Sequence, residues 1–300
     1  MRIRFWGVRG SIPTPSRETF STVKYGGNTP CVEIRTKDDN IIVADAGTGL
    51  RLLGNELMGL NFEGKTIVEN TSFSQGKGKI YILISHVHWD HIQGIPFFKP
   101  LFVEGNVINF VGSEHLNKLL PQQMRRPFFP VDYKKTPSTK KYIKFKENGG
   151  EYKVGNTLIM ARTLNHTDLN FGYRIDDGER IITYASDMEH SESDEKNGVA
   201  ELARDADLLI YDCHYTFLEY EPELHGKMGS GKKLWGHSII QEGIKLAAKV
   251  RAKKLVSFHH NPESSDQKID DILRFANDFK KDYNPHLEII AAYEGLEIIL

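Results

Sequence analysis

The sequence predicts an α/β (α+β) chain folded as a layered sandwich, and three observations predict it. Short runs rich in β-branched and aromatic residues, bounded by Gly, Pro, Asn or Asp, recur in each half of the chain. Stretches with apolar residues at three- and four-residue intervals, opened by Ser or Asp, follow some of these runs. The polar segments between them read as surface loops or hairpins, so residues 1–300 are expected to form one domain.

In the first half, Arg2 to Trp6, Cys31 to Thr36, Ile41 to Ala46, Lys79 to Ser85 and Val107 to Val111 read as strands. A helix is expected over Glu114 to Met124. The polar stretches Thr71 to Lys79 and Lys134 to Glu151 are expected as loops or hairpins. In the second half, strands are expected over Tyr152 to Leu164, Phe171 to Ile175, Arg180 to Ser186, Asp207 to Asp212, Lys253 to Phe258 and Glu288 to Tyr293. Helices are expected over Ser238 to Val250 and Asp266 to Asp282.

Composition narrows the classes of function. The 39 Lys and Arg nearly cancel the 40 Asp and Glu, so the molecule projects no broad field that gathers nucleic acid from a distance. Two distant cysteines, Cys31 and Cys213, form neither a secreted disulfide framework nor a Cys-x-x-Cys metal knuckle. No segment reaches the roughly 18 consecutive apolar residues of a membrane span, and the chain enters directly into Met1-Arg2-Ile3-Arg4. A cytoplasmic protein without a membrane partner is expected.

The chemistry gathers after one apolar run, Ile80-Tyr81-Ile82-Leu83-Ile84. His86 and His88 project to one side of an extended chain, because side chains alternate with period two. Asp90 and His91 follow where the chain must turn, before Ile92-Gln93-Gly94-Ile95-Pro96, which reads as a short helix. Imidazole and carboxylate donors suit Zn²⁺, Mn²⁺ or Fe, with zinc the default, and a pair of such ions can serve an in-line displacement. Four polar residues of a loop simply facing water are the alternative, but three imidazoles and a carboxylate in six positions after a buried-looking strand argue against it.

His-x-His-x-Asp-His resembles the signature of the metallo-β-lactamase superfamily. Phe5-Trp6-Gly7-Val8-Arg9-Gly10-Ser11-Ile12-Pro13, Tyr25-Gly26-Gly27-Asn28-Thr29-Pro30-Cys31 and Asp45-Ala46-Gly47-Thr48-Gly49 look like the branch holding ribonuclease Z, PhnP-type cyclic phosphodiesterases and cyclic-nucleotide phosphodiesterases related to phage anti-Pycsar enzymes. The likeness runs from Met1 to about Asp266. It implies a four-layer αββα sandwich with two metals at the open edge between the sheets. By the same resemblance His166 joins His86 and His88 on the first metal, and Asp187 bridges both ions with one oxygen for each. His259 joins Asp90 and His91 on the second, with the adjacent His260 left open as its alternative. Outside the resemblance, His166 reads as an ordinary strand-end histidine and Asp187 as a turn cap.

Gly236-His237-Ser238 resembles the His-Ser-Thr element of ribonuclease Z, with Ile239 in place of Thr. That implies an imidazole beside the scissile phosphate, whereas the bland reading makes His237 a residue of a helix start with Ser238 as its cap. The expected mechanism is attack on phosphorus by a metal-bridging hydroxide, with Asp90 orienting it and His237 serving the leaving group. Nothing resembling the long Gly/Pro-rich arm of tRNA-processing relatives lies between Asp187 and His237, which disfavours a large RNA and leaves a small phosphodiester, most simply a cyclic nucleotide. Arg125, Arg126, Lys134, Lys135, Lys140, Lys141, Lys144 and Lys146, with Phe128, Phe129 and Tyr133 beside them, form either a nucleic-acid contact or a solvated face. Tyr215, Phe217, Tyr220 and Trp235 form either a stacking wall or core. Three other readings stay open: tRNA 3′-end processing, hydrolysis of a thioester, lactone or lactam, and non-catalytic nucleotide binding. A homodimer is expected from the resemblance alone.

Overall fold

The computed structural model describes residues 1–191, 198–221 and 232–300. Its strands in the first half are β1 (Arg2–Gly7), β2 (Cys31–Arg35), β3 (Ile41–Ala44), β4 (Lys79–Leu83), β5 (Val107–Ser113) and β6 (Thr139–Phe145). Those that follow are β7 (Gly150–Val154), β8 (Thr157–Leu164), β9 (Asn170–Asp176), β10 (Ile181–Ala185), β11 (Leu208–Asp212), β12 (Lys254–Phe258), β13 (Glu288–Ala291) and β14 (Glu297–Ile299). The helices are α1 (Gly49–Leu57), α2 (Trp89–Ile92), α3 (Leu116–Leu119), α4 (Val199–Ala203), α5 (Phe217–Tyr220), α6 (Ile240–Lys249) and α7 (Asp266–Phe279).

The strands form two sheets, ordered β14-β1-β2-β3-β4-β5-β6 and β13-β12-β11-β10-β9-β8-β7. Each has a parallel part, β3 to β6 in one and β10 to β13 in the other, so several strands end at the same edge. Alternation along the strands fills three cores. Tyr81 and Leu83 of β4 meet Tyr184, Ile210 and Phe258 between the sheets, whereas Ile80, Ile82 and Ile84 pack outward with Leu50 and Leu53 of α1. On the far side, Leu209 and Tyr211 of β11 pack against Ile244 and Ala247 of α6 and Ala276 of α7. The result is helix, sheet, sheet, helix: a four-layer αββα sandwich. Strands buried on both faces explain why β4 and β11 read as unbroken apolar runs.

Several boundaries differ from the sequence reading, each for a local reason. Tyr152 to Leu164 is two strands, because Gly155 adopts a φ of +58° and, with Asn156, turns β7 back onto β8 with Val154 opposite Thr157. Glu114 to Met124 is α3 followed by a 3₁₀ turn, Leu120–Met124, since Pro121 has no N–H to continue an α-helix. The Lys-rich segment read as a loop or hairpin contains β6, an edge strand with Lys141 and Lys144 exposed, as edge strands commonly place lysines. The sequence reading also omitted α1, α4, α5 and β14. Both cysteines are buried and unpaired, and burial pushes their thiols well above the ordinary range. Among the described residues no helix is long and apolar enough to cross a membrane.

Candidate metal centre

The shared edge of the two parallel strand sets is where the candidate residues meet. Asp45 follows β3, His86 follows β4, His166 follows β8, Asp187 follows β10 and His259 follows β12. Asp45, Asp187 and His259 hold φ values of +60°, +53° and +61°, a left-handed conformation that costs non-glycine residues about 1–3 kcal/mol each. The cost is offset elsewhere in the fold, and each kink turns a side chain from strand direction into the cleft.

Of the donor clusters that share Asp187, one joins it to Asp212, His237 and His259, and the other two are made of the expected ligands. In the first, His86, His88, His166 and Asp187 bring donor atoms within 4.8 Å of one another. His86 Nε2 stands 3.3 Å from Asp187 Oδ2, and His166 Nε2 stands 3.3 Å from His88 Nδ1. In the second, Asp90, His91, Asp187 and His259 converge. His91 Nε2 lies 3.2 Å from His259 Nε2, 3.2 Å from Asp90 Oδ2 and 3.1 Å from Asp187 Oδ2. Donors placed tetrahedrally at zinc's usual bond lengths stand about 3.3 Å apart, so this spacing fits a divalent ion in either cluster. His86 Nε2 is also buried without a hydrogen-bond partner, which a bound cation would remedy.

Asp187 Oδ2 stands 3.3 Å from His86 Nε2 and 3.1 Å from His91 Nε2, while Oδ1 lies 3.4 Å from His166 Nδ1 and 3.0 Å from His237 Nδ1. Of the adjacent histidines, His259 turns into the cleft, whereas His260 donates from Nε2 to the Ala292 carbonyl at 2.9 Å. Gly10 lies against this turn: a Cβ there would meet the His259 ring at 2.6 Å and His214 Nδ1 at 2.8 Å.

Carboxylates missed by the sequence reading orient the imidazoles. Asp45 is fully buried and accepts from His91 Nδ1 at 2.6 Å, Tyr184 at 2.7 Å, and the backbone and hydroxyl of Ser85 at 2.8 and 2.9 Å. Asp212 accepts from the backbone of Ser238 at 2.9 Å and of His214 at 3.0 Å, with Oδ2 3.2 Å from His237 Nδ1 and 3.3 Å from His259 Nδ1. Among the described residues, His88 Nε2 meets the exposed Asp168 alone, at 3.1 Å. Such outer carboxylates fix which nitrogen faces a metal. A legible signal existed for two of them: Asp45 and Asp212 each end an apolar run, where a charge would otherwise be buried unpaired.

His237 precedes the helix rather than opening it. Ile239 is the N-cap of α6, and the Ser238 hydroxyl instead meets Tyr211 and His190, at 3.1 and 3.0 Å. The ring of His237 stacks on His214 at 3.9 Å with 7° between planes. Of the four aromatics between Asp187 and His237, Tyr215 and Tyr220 are core, whereas Phe217 and Trp235 are 45% and 54% exposed.

The charges of the cleft are interdependent. Burial and then His91 push the His86 imidazole down to about 4, and burial likewise lowers His166. Burial opposes protonation of His91 and His259 too, but Asp90 and Asp45 raise the first well above its usual value, and Asp187 with Asp212 raises the second to about 8. For His237, burial is again outweighed by Asp187 and Asp212, and its pKa rises to about 10. Burial would raise the carboxyls of Asp90 and Asp187, yet the surrounding imidazoles hold both below the carboxylate range. Without cations, this cleft balances its carboxylates with imidazolium protons.

Residues 43–260 match the family model for the beta-lactamase superfamily domain. Over 180 residues the chain is 26% identical to a ribonuclease Z of Staphylococcus saprophyticus, covering 59% of this chain and 49% of the relative. It therefore spans about half the length of that curated relative. Among solved structures, the metallo-beta-lactamase fold protein YhfI from Bacillus subtilis superposes with a TM-score of 0.65 at 17% identity, covering 99% of each chain. The short form of human tRNase Z gives a TM-score of 0.64 at 19% identity, covering 100% of this chain and 99% of its own.

Proposed function

The chain belongs to the beta-lactamase superfamily, with the metallo-β-lactamase fold, and from that premise we propose a dinuclear metal-dependent hydrolase that cleaves a small phosphodiester, most simply a cyclic nucleotide. His86, His88, His166 and Asp187 would hold one ion, and Asp90, His91, His259 and Asp187 the other. Divalent cations so held supply neutralisation of the diester's non-bridging oxygens and acidify water toward neutral pH, with zinc the default and Mn²⁺ or Fe compatible.

The chain's own groups do the rest. Asp90, fixed by the Ser11 N–H at 2.8 Å, orients the attacking water. His237, with Nδ1 turned to Asp187 and Asp212, has Nε2 left for the departing oxygen, to which it delivers a proton as the P–O bond breaks. The observation that favours a phosphodiester over a thioester is this histidine, held by two buried carboxylates beside both clusters, since an alkoxide leaving group needs a proton and a thiolate does not.

A second reading, cleavage of precursor transfer RNA, draws on the ribonuclease Z relative and the tRNase Z fold neighbour. The shortness of the segment from Asp187 to His237, without a Gly/Pro-rich arm, supports the smaller substrate. Protein reconstituted with Zn²⁺ or Mn²⁺ is to be incubated with 3′,5′- and 2′,3′-cyclic nucleotides and with a precursor transcript. Ring opening of a cyclic nucleotide is the expected result, and cleavage of the transcript alone would replace this reading with the second.

A further inference from the structure

Beside the metal centre lies a cavity of about 320 Å³ lined by Val87, Trp89, Ile92, Leu119, Gln122, Gln123 and Phe128. Val87 and Trp89 are interleaved with His86, His88 and Asp90 in one run. Because side chains of an extended run alternate, Val87 faces away from the imidazoles, which sets the cavity against the ligand run rather than within it. Trp89 follows His88, whose side chain is 41% exposed and marks the solvent edge of the clusters.

Two features of this cavity, and a basic hollow near it in the chain, ask for a planar, polar-edged ligand. Trp89 and Phe128 are 69% and 80% exposed, a large aromatic area for a protein to leave in water. Gln123 lines the cavity, and its side-chain amide nitrogen is buried beneath that lining without a hydrogen-bond partner. Arg125, Arg126 and Lys135 line a second hollow of about 550 Å³ that begins two residues beyond Gln123.

We propose that this cavity is a nucleobase subsite, in which the base of a nucleoside flanking the scissile phosphodiester stacks on Trp89 and Phe128 and accepts a hydrogen bond from the Gln123 amide. The proposal rests on the phosphodiesterase reading and deepens it by naming a nucleoside diester as the substrate class. Aromatic faces tolerate every base, so the amide, which meets an acceptor on the base edge, is the feature that discriminates.

The test compares two diesters with the same leaving group, thymidine 5′-(p-nitrophenyl phosphate) and methyl p-nitrophenyl phosphate, on reconstituted protein and on the Phe128→Ala, Gln123→Leu and Trp89→Phe variants. For Phe128→Ala the expected loss in kcat/KM is roughly ten- to a hundredfold on the thymidine diester. The methyl diester should change less than twofold, with metal content unaltered. Equal losses on both diesters, or none on either, would overturn the subsite. A readout independent of turnover is tryptophan fluorescence on adding thymidine 5′-monophosphate, with ribose 5-phosphate as the baseless control. Saturable quenching by the nucleotide alone, abolished in Trp89→Phe, supports the subsite even if neither diester is cleaved, in which case the phosphodiesterase reading alone fails. Quenching equal with ribose 5-phosphate means that the site reads phosphate, not base, and sinks the proposal.

Discussion

The two donor clusters share Asp187 but are built differently. In the cluster of Asp90, His91 and His259, both imidazoles are fully buried, and each is steered by a buried carboxylate, Asp45 or Asp212. In the cluster of His86, His88 and His166, the ring of His88 reaches solvent, and the outer carboxylate it meets, Asp168, is 74% exposed. One cluster is thus organised before any ion arrives, and the other is completed at an open edge. The difference teaches where fixed charge is needed: enclosed imidazoles are aimed by buried carboxylates, while the open edge keeps a ligand accessible to solvent.

The strongest way to break this comparison is to remove what the clusters have in common. Asp187→Ala should abolish binding of both ions and reduce turnover to background, as read by metal analysis and diester hydrolysis. Retention of one ion at full occupancy would mean that Asp187 serves only one cluster. Next comes His237→Ala, expected to lower kcat roughly a hundred- to ten-thousandfold while metal content stays at the wild-type value. If bound metal falls in parallel, His237 belongs with the ligands rather than with the leaving group.

The asymmetry was only partly legible in the sequence. His86 and His88 could be read directly, because period-two alternation after an apolar strand sets them to one side, while Asp90 and His91 were read from the turn that follows, where α2 forms. His166, Asp187 and His259 came through resemblance, since nothing local separates a strand-end ligand from a turn residue; it takes the register of neighbouring parallel strands to bring those ends together. Asp45 and Asp212 went unassigned for a related reason: their partners lie 46 and 47 residues away, at His91 and His259, so only the fold pairs them. The layered class followed from strand and helix patterning, whereas β6 did not, because an edge strand of lysines looks like a loop in composition.

Two intermediate effects sharpen the contrast. Asp45→Asn should weaken the enclosed cluster's ion roughly ten- to a hundredfold, measured by competition with a chelator, because His91 loses the acceptor that aims its ring. The clusters should also differ in pH dependence. In the cation-free protein His91 and His259 are held protonated, the latter with a pKa of about 8, and must lose those protons to bind an ion. His86, pushed down to about 4, is already neutral at pH 7. Affinity of the enclosed cluster should therefore fall as pH drops below about 8, with protons released on binding, while the open cluster responds less. Calorimetric titrations at pH 6 and 8.5 in buffers of different ionisation enthalpy would read both effects; equal proton release at the two sites would remove the distinction.

The smallest expected effect is the most diagnostic of burial. Asp168 and Asp45 make the same kind of contact, a carboxylate to the outer nitrogen of a histidine, at 3.1 Å and 2.6 Å. Asp45 acts in a dry interior with four donors converging on it, whereas the exposed Asp168 competes with water and salt, where such pairs contribute about 1 kcal/mol or less. Asp168→Asn should accordingly weaken the open cluster's ion less than about fivefold, and less still at high salt. A loss as large as that of Asp45→Asn would mean that carboxylate contact alone, regardless of solvent exposure, sets the affinity of each cluster.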